Sequence, residues 1–284
     1  MKTKILLLVV LFAGTSLIFN SCKKESEIED PVYSTEAAQD NALADNLFND
    51  AQKQIDDTHK KQDASTKSIT DSSAYPIITI IPGDSTTQYI WKAIIDFGTD
   101  GVQGNDGRIR KGKIEFTTTG RYIDEGTVIT GTLIDYSVDN YLIEGTKRVE
   151  NMGKNANQQT YFNVDVTNGK ITDVNGAIRT WESHRVRTWV VGENTTGILG
   201  IFDDEYDITG SANGITASNK TYTITITEPL RVKVFCKWIQ DGNLSLEVSG
   251  SPTIYVDYGV GGTSTCDNQA KATISGQDYT FYMH

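Results

Sequence analysis

From Tyr75 onward the chain alternates apolar and polar residues with period two, and no helical period of useful length interrupts that pattern. Thr221, Thr223, Thr225 and Thr227 alternate with Tyr222, Ile224 and Ile226. Val232, Val234, Cys236 and Trp238 alternate with Arg231, Lys233, Phe235 and Lys237. Runs of this kind form strands with one apolar and one polar face. Parallel neighbours need long crossover connections, so a chain without helices here builds an antiparallel sheet joined mainly as a meander. The pattern predicts strands over 76–81, 88–97, 112–123, 127–138, 141–150, 159–167, 178–191, 252–258, 270–275 and 278–283, with a hairpin over 231–249. Asn168-Gly169, Asn175-Gly176, Asn213-Gly214 and Asp241-Gly242 read as turns, because these pairs accept positive φ; the last is the expected turn of the 231–249 hairpin. The expected fold class is all-β, an antiparallel meander over 75–284 that closes as a barrel, stacks as a sandwich or stays an elongated sheet. A single β domain can hold about 210 residues.

Ahead of the sheet, residues 35–57 read as one amphipathic helix: Leu43, Leu47, Ala51 and Ile55 recur every four positions, Phe48 widens the stripe, and Asp40, Asp45, Asp50 and Asp56 lie mostly off it. Such a helix packs on its own domain, serves as a stalk, or docks a partner protein. Residues 58–74 are polar with the single aliphatic Ile69, which marks a linker between a helical arm and the β body.

The first residues carry an address. Lys2 and Lys4 precede an apolar run from Ile5 to Ala13, the n-region and h-region of a secretory signal peptide over 1–21. Gly14, Thr15, Ser16 and Asn20 interrupt the run before it reaches the roughly 20 apolar residues that a spanning helix needs. Phe19-Asn20-Ser21-Cys22 resembles the lipobox of bacterial lipoproteins, with the small Ser21 before the cysteine and Phe19 where Leu is usual. The resemblance implies lipidation of Cys22 and membrane attachment through acyl chains. A charged tether follows over 22–34, and its Lys23-Lys24-Glu25-Ser26-Glu27-Ile28-Glu29-Asp30 resembles the signal that sends Bacteroidota-type lipoproteins to the outer face of the outer membrane; a periplasmic face is the alternative.

The whole chain carries a net charge of −11, and removal of residues 1–21 takes away two lysines and no acids, giving −13. An acidic surface without a Lys/Arg footprint argues against nucleic-acid binding. Faces built from Thr, Lys and Arg are not lipid-facing, and the final Tyr279 to His284 lacks a terminal aromatic, so a membrane-spanning barrel is not expected.

With Cys22 assigned to lipid, Cys236 and Cys266 remain as a pair in an oxidising compartment and are expected to form a disulfide. Two loops share the frame D-[FY]-G-x-[DG]-G, one from Asp96 to Asp106 and one from Asp257 to Asp267. Asp96, Asp100 and Asp106 offer oxygen ligands of the kind calcium takes, but the spacing is not that of an EF-hand, and Asp-capped glycine-rich turns are the expected reading. Asp203-Asp204-Glu205 with Asp207 is read in the same way. No metal is assigned, and no motif calls for a cofactor.

Three histidines, at 59, 184 and 284, offer little catalytic chemistry. Ser183 and His184 are adjacent on a strand and point to opposite faces, so they cannot pair as nucleophile and base. No G-x-S-x-G or H-E-x-x-H motif is present. Two carboxylates brought together by folding would still allow a glycosidase. Trp181, Arg185, Arg187 and Trp189 share one alternation phase with Ser183, and this cationic-aromatic face is the expected ligand patch, exposed and suited to a glycan.

Gly107-Arg108, Arg110-Lys111-Gly112-Lys113-Ile114, Thr119-Gly120-Arg121-Tyr122, Ile143-Glu144-Gly145-Thr146, Cys236-Lys237-Trp238, Asp257-Tyr258-Gly259 and Cys266-Asp267-Asn268 together resemble a family of uncharacterised Bacteroidota-type outer-membrane lipoproteins. The resemblance covers most of 88–284 and implies an envelope location without an established activity. The expectation is a lipid-anchored envelope protein whose β domain binds or supports an envelope partner without catalysis; the alternative is glycan capture or processing.

Overall fold

The computed structural model describes residues 34–65, 76–195, 203–260 and 266–283. The expected signal peptide over 1–21, Cys22 and the expected tether up to residue 33 lie outside them, as do residues 66–75 of the expected linker. One helix, α1 (Glu36–Ala64), precedes fourteen strands: β1 (Ile77–Pro82), β2 (Trp91–Asp96), β3 (Val102–Gln103), β4 (Ile109–Thr118), β5 (Val128–Val138), β6 (Tyr141–Lys154), β7 (Thr160–Thr172), β8 (Ile178–Val191), β9 (Glu205–Ile215), β10 (Thr221–Lys233), β11 (Asp241–Val248), β12 (Ile254–Asp257), β13 (Gln269–Ile274) and β14 (Gln277–Tyr282).

All fourteen belong to one antiparallel sheet that follows chain order from β1 to β14, with β3 paired to β4 off the path. The all-β meander is therefore the fold. Among the described residues β1 and β14 do not pair with each other, so the sheet does not close by hydrogen bonds.

It closes instead around α1. Ala37, Leu43, Leu47, Phe48, Ala51 and Ile55 are at most 3% exposed, as the apolar stripe requires, but Asp40, Asn41, Asp45, Asp50, Gln52, Asp56 and His59 are buried as well. A helix buried on every side is normally apolar all round. This one is polar because the sheet supplies a cationic partner for its acids. Successive five-residue steps turn a helix by about 140°, so Asp40, Asp45 and Asp50 point in three directions and meet strands on different sides.

Two expectations about this region fail. The helix runs to Ala64 and not to residue 57, and Thr58 and His59 are buried, so the expected linker does not begin at residue 58. The 35–57 arm is likewise no separate stalk; it is the centre of the domain.

Three of the four Gly pairs lie inside strands. Only Asn175-Gly176 forms a hairpin turn, between β7 and β8. Gly169 and Gly214 flank Trp181 across β7, β8 and β9, and Gly214 in turn faces Tyr222 on β10. A Cβ on Gly169 would stand 3.1 Å from Phe48 Cζ and 2.2 Å from the Trp181 carbonyl oxygen. These glycines are there for want of a Cβ, because Trp181 and Phe48, stacked at 5.3 Å, fill the space beside them. Asp241-Gly242 opens β11 opposite Arg231, and the β10–β11 connection is 234–240, so the expected 231–249 hairpin is displaced. β9 was not anticipated: its Gly, Ser and Asn content hides an alternation in which only Tyr206, Ala212 and Gly214 are buried.

Candidate functional site

The inward row of β8, Trp181, Ser183, Arg185, Arg187 and Trp189, faces α1. Trp181, Arg185, Arg187 and Trp189 are 3%, 5%, 8% and 8% exposed. The expected exposed ligand patch is therefore overturned. Alternation told which side chains share a face, but not that a buried acidic helix lies on that face and makes interior guanidiniums tolerable.

The pairing is specific. Arg179 Nε donates to Asp40 at 2.5 Å, Arg185 lies 3.5 Å from Asp45, and Arg187 Nη1 donates to Asp56 at 3.0 Å. Arg110 grips Asp50 through Nε at 3.0 Å and through Nη2, while the Tyr136 hydroxyl donates to the same carboxylate at 2.8 Å. Trp181 Nε1 donates to Asn41, and Trp189 Nε1 to Asp204. Burial opposes ionisation of Asp56, but Arg187, Lys60 and the Gln52 bond outweigh it and hold the carboxyl below its ordinary range. Around Asp45 burial prevails over Arg185 and raises the carboxyl. Lys147 on β6, which donates to the Phe48 carbonyl at 3.0 Å, is pushed down to about 7 by burial and then by Arg187.

At the other end of α1, His59 Nε2 lies 2.8 Å from Thr118 Oγ1, and its Nδ1 lies 3.2 Å from Asp63. The set has the outline of a nucleophile, a base and an orienting acid. It is not one chemically: Thr118 donates its own proton to the Gly120 carbonyl at 2.8 Å, and both Thr118 and His59 are fully buried. His59 packs among Trp91, Phe116 and Tyr122 and fixes the last turns of the helix. Lys60 beside it sits over the Trp189 ring at 4.5 Å and donates to Asp204 at 2.9 Å. Sequence reasoning missed this cluster because His59 and Lys60 fall in a stretch whose polarity imitates a linker.

The aspartate loops behave as turns. Asp96 accepts from Gly98 N at 2.8 Å, and Asp257 from Gly259 N at 2.9 Å, the same local turn in both copies of the repeated frame. Asp106 binds Arg110, and Asp96 pairs with Lys113. Asp100 lies exposed in the turn after β2. Among the described residues no group of three His, Cys, Asp or Glu side chains is placed to hold a metal. Cys236 and Cys266 lie at disulfide distance, with Cα atoms 5.5 Å apart, and join the connections that follow β10 and β12. His184 points outward to Asp165 at 2.9 Å, on the opposite face from Ser183.

The outer face carries cross-strand ion pairs such as Lys92–Glu115 and Lys170–Glu144. It also holds a shallow depression of about 770 Å³ across β7 to β10, lined by Asn168, Thr180, Glu182, Asn213, Thr221 and Thr223 among others. No protein-family model, curated protein or solved structure matches this chain.

Proposed function

We propose that the protein is a lipid-anchored outer-membrane protein, held through Cys22 at the cell surface, whose β domain is a binding or structural module and not an enzyme. The observation that carries this reading is the use made of its charged groups: the carboxylates of Asp40, Asp50 and Asp56 are turned inward and paired with the guanidiniums of Arg179, Arg110 and Arg187. Groups in that arrangement stabilise a scaffold and do not meet a substrate. The signal peptide and lipobox support the anchor, and the charged tract after Cys22 supports surface export. The test is fractionation of cells making the wild type or Cys22→Ser, with protease shaving of intact and permeabilised cells. Release of the variant from the membrane fraction supports the anchor. A wild-type body that survives shaving until the outer membrane is opened places it on the periplasmic side and refutes surface export.

A second reading, glycan capture, draws on the outer depression. Its hydroxyl and amide lining both donates and accepts, as sugar hydroxyls require. Glu182 is the single carboxylate in that lining, so an acid pair for hydrolysis is not supplied there. Saturable thermal stabilisation by a polysaccharide, lost in Asn213→Ala with Glu182→Ala, supports capture; stabilisation unchanged in that variant refutes it.

A further inference from the structure

At one edge of the sheet the outermost strand carries no charge of its own. β1 reads Ile77-Ile78-Thr79-Ile80-Ile81-Pro82 and contains no charged residue. It pairs with β2 along one side, and among the described residues no strand pairs with its other side. Ile78 and Ile80 turn inward against the core. Ile77, Thr79 and Ile81 turn outward, opposite Asp96, Ile94 and Lys92 of β2, and Ile81 is 38% exposed. An apolar, unbulged edge with a free row of N–H and C=O groups is a template for another strand, and proteins that stay single normally protect such an edge with charge. The opposite edge, β14, has that protection: its Asp278 lies 3.6 Å from Lys271.

The occupant follows from the order of residues in β1, which is palindromic about Thr79. An antiparallel strand of the same sequence places Thr79 opposite Thr79, Ile78 opposite Ile80 and Ile77 opposite Ile81. The inward pairs extend the core, and the outward pairs set two Ile–Ile contacts around a central pair of threonines. A slip of one residue would turn the inward set outward. Pro76 and Pro82 lack an N–H and end the ladder on either side. Each copy has one such edge, so pairing closes at two copies and does not propagate.

We propose that β1 is the seam of a two-fold homodimer, in which it pairs antiparallel with β1 of a second copy about Thr79 and joins two sheets into one. The proposal is independent of lipidation and of the ligand reading above.

The test uses the mature chain carrying Cys22→Ser, so that no free thiol competes. Sedimentation over a range of concentrations should show a reversible monomer–dimer equilibrium. Ile81→Glu, at an outward and partly exposed position opposite Lys92 of its own sheet, places a charge against Ile77 of the partner subunit and should weaken dimerisation at least tenfold with the far-ultraviolet dichroism unchanged. Adding Ile77→Lys, which lies opposite Asp96 of its own sheet, restores dimerisation, because each Glu then faces a Lys across the axis. Thr79→Cys oxidises to a covalent dimer, since directly opposed residues lie about 4.5–5.5 Å apart, whereas Thr117→Cys, outward on β4, does not. A chain that sediments as a monomer up to its solubility limit overturns the proposal. So does a dimer indifferent to Ile81→Glu and to the added Ile77→Lys.

Discussion

Removal of the Asp56 carboxylate tests whether the buried ion pairs organise the interior. Asp56 accepts from Arg187 Nη1 at 3.0 Å and the Tyr122 hydroxyl at 3.1 Å, and its side chain is 11% exposed against 10% for Arg187. Asp56→Ala leaves a buried guanidinium without its carboxylate, a situation that costs about 3–5 kcal/mol. For a domain of this size that lowers the thermal midpoint by on the order of 10 °C. The control is Lys170→Ala, whose ion pair with Glu144 is 41% and 45% exposed; an exposed pair of this kind is worth below about 1 kcal/mol. Replacing both buried partners, Asp56→Leu with Arg187→Met, should recover most of the loss, because two apolar side chains demand no solvation. Urea unfolding of these proteins gives the comparison, and the single variants Asp56→Leu and Arg187→Met complete the double-mutant cycle that isolates the coupling. If Asp56→Ala costs no more than Lys170→Ala, water reaches the pair and the enclosed-helix account is wrong.

Other consequences follow from the same interior. The folded chain holds Lys147 at about 7, against 10.5 ordinarily. Between those values the unfolded chain binds a proton that the folded chain has released, so this residue makes stability rise from pH 7 upward and costs stability in full below it. Lys147→Met should flatten that rise in unfolding curves taken across the range; an unchanged slope would show the ammonium to be solvated. Gly169→Ala drives a Cβ to 2.2 Å from the Trp181 carbonyl oxygen, while Gly176, at φ +81, has open space around it. The first should cost roughly 1–3 kcal/mol through overpacking, with loss of near-ultraviolet tryptophan dichroism, and the second roughly 1–2 kcal/mol through backbone strain alone with that signal intact. Cys266→Ser opens a cross-link over a sequence separation of 30 and should lower stability by about 3–4 kcal/mol in the chain-entropy model; equal stability in oxidised and reduced protein would remove the bond from the account.

Much of the sheet was legible because a half-buried strand must alternate. The runs at 127–138, 178–191 and 278–283 announce themselves within a residue or so of the observed strands. Local turn chemistry was less dependable. Asn-Gly marks positive φ in a hairpin at Gly176, but the same dipeptide at Gly169 and Gly214 serves ring packing between strands, and only the tertiary neighbours Phe48, Trp181 and Tyr222 separate the two uses. The candidate ligand face was misplaced for a related reason: the phase of Trp181, Arg185, Arg187 and Trp189 is a property of β8, whereas its exposure is a property of what packs on it.

Local order along the chain determined most of the strands, the meander and the absence of parallel crossovers, since these depend on side-chain period and connection length. It also set the pairing potential of Cys236 and Cys266 and the palindrome of β1. The tertiary structure decided that α1 is the core and not an arm, because burial of Asp40, Asp45, Asp50 and Asp56 is possible only where arginines distant in sequence converge on them. A charge reads as a surface residue in one dimension; only three dimensions bring its counter-charge within reach and turn it into part of the interior.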